Sequence, residues 1–138
     1  MKIMIINGPK PNQLGKRQPE IYGHVSFDSY LEILKQDFPA IDIVLFQSDV
    51  EHEVVDMLQE ADADYDGIIL NAGRYTHTSE RIGDTVKAIE TPVIEVHISN
   101  IFAREEFRHI SYISPHAKGI IAGLGLDVYR LAIMNLSN

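Results

Sequence analysis

The sequence has no cysteine, which excludes disulfides and thiolate sites outright. It has no long hydrophobic run. Before the Asn-Gly-Pro at 7–9 the N-terminus offers only the apolar residues 3–6, too short for a signal-peptide core and far too short to span a bilayer. The cytoplasm is therefore the expected location. A surplus of positive charge is also missing: 12 Lys and Arg stand against 20 Asp and Glu, a formal net charge of -8. Nucleic acid is a poor partner for such a chain, because phosphate binding needs basic residues in excess on one face. No repeat, linker or low-complexity stretch interrupts the 138 residues, which fit one domain spanning 1–138.

What is present is the composition of an ordinary globular protein, 45% hydrophobic and 23% charged. The basic residues are unevenly placed. Lys10, Lys16 and Arg17 share one loop, and Arg104 and Arg108 share another. A local basic pocket in an acidic protein suits a small anionic ligand; scattered solvated charge is the other reading.

Five short apolar runs, at 3–6, 43–46, 68–70, 93–96 and 120–122, read as buried parallel strands. Between them lie segments of helical period: Phe27, Tyr30, Leu31 and Leu34 after a Ser26 cap; Val54, Met57, Leu58 and Ala61; Ile82, Val86 and Ile89 after the cap candidates Thr78 and Ser79; and Val128, Leu131, Ala132 and Leu136. A further short helix is expected over 104–107. Alternating strand and helix predicts right-handed crossovers and a flavodoxin-like, doubly wound α/β sheet of five parallel strands, with ligands at the carboxyl ends of the strands. The long Gly- and Pro-rich connection at about 7–24 has no apolar period and reads as a lid over the site.

That loop does not form a nucleotide-binding P-loop. Six residues separate Gly8 from Gly15 where the motif has four, and Lys16 is followed by Arg17 rather than a hydroxyl residue. The Gly123-Leu124-Gly125 run is a turn into the last helix. Tyr22 can be a packing anchor or, with a cation beside it, an ionised phenolate base. A free Tyr has a pKa of about 10, so the second reading needs the charge that Arg17 can supply on the same loop. Strand four ends Glu95-Val96-His97, and period two puts Glu95 and His97 on one face. A carboxylate in an apolar strand needs a partner, and a hydrogen bond to His97 would position that ring as an acid or base. The same pair with His77 could ligate a metal, but no zinc-site spacing accompanies it. The segment from Asn71 through His77 to Ser79 brings polar side chains and helix N-terminal amides to the end of strand three. Turn and caps account for Thr78 and Ser79 but leave Asn71 and His77 unexplained. Arg108 is either surface charge or a bidentate carboxylate clamp.

The stretches NGPKPNQLGKRQPEIYG, FQSDVEHEVVD, NAGRYTHTS, PVIEVHISNIFAREEFRH and SYISPHAKGIIAGLG resemble, in order and over nearly the whole chain, successive motifs of the type II 3-dehydroquinate dehydratases. The resemblance implies a flavodoxin-like catalytic domain that removes water from 3-dehydroquinate through an enolate, in the shikimate pathway or in quinate breakdown, with no metal or organic cofactor. Tyr22 would be the base and His97 the acid that protonates the departing hydroxyl. Arg17 would lower the Tyr22 pKa and hold the transition state. Asn71, His77, Arg108 and the Ile98-Ser99 segment would bind substrate, with Glu95, Asn12 and Lys10 in support. Asp84 would reach a neighbouring subunit's site in trimers, four of which form a dodecamer. The chain departs from the pattern at Lys10, where the family usually has Asn, at Arg74, usually small, and at Ile110, often His. Two other readings stay open: a diverged relative acting on another cyclic hydroxy acid, and a non-catalytic small-anion binding protein.

Overall fold

The computed structural model describes residues 1–9 and 26–138. Lys10, Asn12, Arg17 and Tyr22, and most of the expected lid, lie outside the described residues.

The chain order is β1 (Lys2–Asn7), α1 (Phe27–Asp37), β2 (Asp42–Gln47), α2 (Glu51–Asp64), β3 (Gly67–Asn71), a 3-10 turn (Gly73–His77), α3 (Glu80–Ala88), β4 (Val93–His97), two short 3-10 turns (Ile101–Ala103 and Glu106–His109), β5 (Gly119–Ala122) and α4 (Asp127–Leu136). All strand pairings are parallel and the order is β2-β1-β3-β4-β5. This is the doubly wound, flavodoxin-like arrangement, and its strand order reverses between β1 and β3. Helices α1 and α3 start where their caps predict. Ser26 accepts a hydrogen bond from the Ser29 backbone N–H at 3.1 Å, and Ser79 accepts one from Ile82 at 3.1 Å.

Side-chain alternation along the strands divides the core in two. Ile3 and Ile5 of β1, Ile69 of β3, and Ile94 and Val96 of β4 pack with α1 and α4. Met4 and Ile6, Ile68 and Leu70, and Val93 pack with α2 and α3. Each fully buried Ile or Leu contributes about 1.5–3 kcal/mol, so both layers are needed to cover the sheet.

Three expectations are corrected. The segment 104–107 is not a helix: Arg104 has an extended backbone (φ -106, ψ -172) and separates two 3-10 turns, the first of them capped by Asn100. In α4 the buried face is Val128, Tyr129, Ala132, Ile133 and Leu136, while Leu131 is only partly buried. The aromatic and Ile133 win that face because α4 crosses over β3 and β4 beside Phe27. Finally, β5 is not a buried strand. It pairs only with β4, and its Ile120 is 49% exposed.

Candidate active site

The carboxyl ends of β1 and β3 lie side by side, with Asn7 directly paired to Asn71. The connections that follow them are pressed together. The Gly8 N–H donates to the Asn71 carbonyl at 2.7 Å, and the Gln47 amide nitrogen donates to the Gly8 carbonyl at 2.8 Å. A Cβ on Gly8 would sit 2.6 Å from the Ala72 carbonyl oxygen. Gly73 has φ +59, and a Cβ there would sit 2.7 Å from the Pro9 carbonyl oxygen. Two glycines are thus required where two backbones touch.

Both asparagines face the α1/α4 side of the sheet and meet the hydroxyl of Tyr129, a fully buried residue of α4. The Asn71 amide nitrogen donates to the Tyr129 hydroxyl at 3.0 Å, and that hydroxyl donates to Asn7 Oδ1 at 2.8 Å. Phe27 packs edge-on against the same ring, with centroids 4.9 Å apart.

On the opposite face, at the end of β4, Glu95 and His97 are buried to 1% and 5% exposure. His97 Nε2 bonds to Glu95 Oε2 at 2.5 Å. Ser111 donates to the same oxygen at 3.0 Å, and Ser114 donates to Oε1 at 2.5 Å. Ser111 is itself held by the backbone N–H groups of Ile113 and Ser114. Burial pushes the Glu95 pKa up, but the hydrogen bonds from His97 and Ser114, the charge of His97 and the Ser111 hydroxyl outweigh it, so the carboxyl sits below its ordinary range. An ionised Glu95 keeps the proton on His97 Nε2 and leaves Nδ1 as the nitrogen that can exchange a proton with a ligand.

His77 lies alongside, its ring stacked on that of His97 with centroids 6.3 Å apart. Its Nδ1 donates to the Ile110 carbonyl at 2.7 Å, which turns Nε2 out as an acceptor. Burial lowers the His77 pKa, and the charges of His97 and Arg108 add to this, against the Ile110 bond and Glu95. The neutral ring is favoured.

Of the other expected residues, Ile98 and Ser99 form the half-buried bend after β4, anchored by the Gly123 N–H on the His97 carbonyl and the Gly125 N–H on the Ile98 carbonyl, both at 3.0 Å. Arg108 is half-buried in its 3-10 turn, its Nε on Glu105 at 3.0 Å and its guanidinium over Phe107. Asp84 is exposed on α3. The metal reading finds no support: among the described residues no three His, Asp or Glu side chains are grouped as a metal site needs. Sequence reasoning missed Asn7 as a site residue, Tyr129, and the pair Ser111 and Ser114. The Ser-x-x-Ser spacing was a readable signal for a turn that can hold a carboxylate; Tyr129 offered none.

Fold and site together define a flavodoxin-like α/β protein with a buried, carboxylate-fixed histidine at the end of β4, beside the β1/β3 switch point. The family model for dehydroquinase class II matches residues 1–137. The chain is 51% identical to a 3-dehydroquinate dehydratase of Fusobacterium nucleatum subsp. nucleatum, over 99% of this chain and 96% of that protein. It is 48% identical to a 3-dehydroquinate dehydratase of Bacillus licheniformis, over 99% and 97%. The solved type II dehydroquinase of Butyrivibrio crossotus superposes with a TM-score of 0.92 at 41% identity, covering 100% of this chain and 98% of that one. The chain belongs to the class II dehydroquinases.

Proposed function

We propose that this chain removes water from 3-dehydroquinate to give 3-dehydroshikimate, the reaction of a hydro-lyase. The observation that carries the reading is the family match over 1–137 in a chain that keeps Glu95 and His97 hydrogen-bonded at the end of β4. The two alternatives, another cyclic hydroxy acid or binding without turnover, gain no support from any observation of the site.

The dehydration moves two protons. An ionised Tyr22, its charge favoured by Arg17, takes a proton from the carbon next to the ketone, and the electron pair left behind forms an enolate. As the enolate collapses, the β-hydroxyl leaves with a proton from His97 Nδ1, giving water and the conjugated enone. Proton exchange through solvent returns Tyr22 and His97 to their starting forms. Glu95 holds the His97 ring at Nε2, so that Nδ1 is the nitrogen aimed at the departing hydroxyl. Asn71, neutral His77 through Nε2, Arg108 and the Ile98-Ser99 bend hold the substrate's hydroxyl and carboxylate groups, with Asn12 in support. This chemistry asks for no metal or organic cofactor.

Asp84, exposed on α3, would reach the site of a neighbouring copy in a homo-oligomer of trimers, four to a dodecamer. A monomer in light scattering would remove both the assembly and the role of Asp84. A cytoplasmic location is part of the same proposal; no helix among the described residues is long and apolar enough to cross a membrane.

The test is to mix purified protein with 3-dehydroquinate and follow the ultraviolet absorbance of the enone, with and without EDTA. Turnover unaffected by EDTA is expected; loss in EDTA restored by zinc would place Glu95 and His97 in a metal site. The Lys10→Asn variant belongs beside the parent, and a gain in its turnover is expected because Asn restores the neutral family geometry. A fall would make Lys10 itself catalytic. No enone from either protein would overturn the dehydratase reading.

A further inference from the structure

We propose that Tyr129, a residue of the last helix, is a positioning residue for substrate: its buried hydroxyl fixes which way the amides of Asn7 and Asn71 face at the β1/β3 switch point. The claim that this affects substrate rests on the dehydratase reading; the claim about the amides does not.

The polarity of the hydrogen bonds runs in one direction from a fixed point. Gly73, held at φ +59 where a Cβ would strike Pro9, points its backbone N–H at Asn71 Oδ1, 3.3 Å away. Because Asn71 Oδ1 takes that proton, its amide nitrogen is the group that faces Tyr129, at 3.0 Å. The phenol oxygen therefore accepts, and its single proton goes to Asn7, which must present Oδ1, at 2.8 Å. The Asn7 nitrogen is turned away from the ring, and one of the two Asn71 amide protons stays uncommitted to Tyr129. The Asn71 end consequently keeps an N–H donor beyond the one given to Tyr129, which suits a ligand group rich in acceptor oxygens.

Only a group that accepts from one amide and donates to the other can hold this arrangement. Among side chains that reach from α4, a phenol does so with a ring that also fills the apolar space against Phe27. Phenylalanine would keep the packing and remove the relay. The two amides would lose their common partner: Asn7 could turn over, and Asn71 would be held only by the longer bond from the Gly73 N–H.

The experiment uses the full-length Tyr129→Phe protein. KM for 3-dehydroquinate should rise roughly three- to tenfold, the scale of one net hydrogen bond, while kcat changes by less than twofold because the β4 groups are untouched. In an Asn71→Ala background the same substitution should leave KM within twofold, since the residue it positions is gone. In the ¹H–¹⁵N spectrum the Asn71 side-chain amide protons should be protected from exchange in the parent and unprotected in Tyr129→Phe. Asn7→Leu, which takes away the acceptor and leaves the phenol in place, gives a second route to the same rise in KM should Tyr129→Phe fail to fold. A lowered melting temperature with unchanged KM, additive KM effects in the Asn71→Ala background, or an Asn71 amide still protected without the hydroxyl would each overturn the proposal. A parent without turnover would sink the dehydratase reading instead, and the amide signals would still decide whether Tyr129 orients Asn71.

Discussion

At the end of β4 one buried carboxylate collects donors from His97, Ser111 and Ser114, whereas at the ends of β1 and β3 two neutral amides share a single phenol. The two halves of the site lie on opposite faces of the sheet and solve different problems. A buried charge costs several kcal/mol unless donors replace water, so the β4 half needs a dedicated turn at 111–114 to make Glu95 tolerable. Neutral amides cost far less to bury, and one hydroxyl is enough to orient them. The first half can carry chemistry that changes charge. The second can only hold and aim.

The sharpest way to break this contrast is His97→Ala. If the β4 half moves protons, turnover should fall by about 100- to 10,000-fold with the fold intact by circular dichroism, while Asn71→Ala should act mainly on KM. Comparable losses of kcat in both variants would erase the distinction between the halves.

Next in size is Glu95→Gln, which keeps shape and removes charge. An orienting carboxylate of this kind is worth up to about 10,000-fold, and a loss of roughly 100-fold or more in turnover is expected. Thermal stability should fall as well, because the donors from His97, Ser111 and Ser114 make the fold favour the charged carboxyl that Gln lacks. A variant that loses stability but retains turnover would make the carboxylate structural.

On the amide half the larger effect should be on stability. Gly73→Ala forces a Cβ against the Pro9 carbonyl and a side chain into positive φ, and a loss of about 1–3 kcal/mol in urea denaturation is expected. A near-neutral result would mean that the two strand-end loops yield easily and that Asn71 is not rigidly placed.

The smallest expected effect is the pH dependence of stability. His77 has its folded pKa lowered, so the unfolded chain binds its proton more readily; the stabilisation is present above the ordinary histidine pKa of about 6.5 and is lost as pH falls through the folded value. Glu95 is also lowered, and its contribution is present above the ordinary carboxylate range and lost further into acid. Denaturation midpoints should therefore fall in two stages on acidification, and His77→Asn should flatten only the first. If that variant keeps the full pH dependence, another group is responsible.

The sequence by itself determined the alternation of strand and helix, the caps at Ser26 and Ser79, and the placement of Glu95 and His97 on one face of one strand. All of these are local: residue spacing, β-branching and short-range hydrogen bonds decide them before the chain is packed. It also carried the family resemblance, because the motifs stand in order along the chain. Tertiary structure alone decided what those residues meet. Nothing near Tyr129 in sequence says that its hydroxyl joins Asn7 and Asn71, which are 122 and 58 residues away, or that Leu131 would yield the buried face of α4 to it. Nor does the apolar run at 120–122 reveal that β5 is an edge, since the same residues would suit a central strand. Burial and partnership depend on which faces the crossovers bring together, and that is settled only when the sheet closes its order at β2-β1-β3-β4-β5.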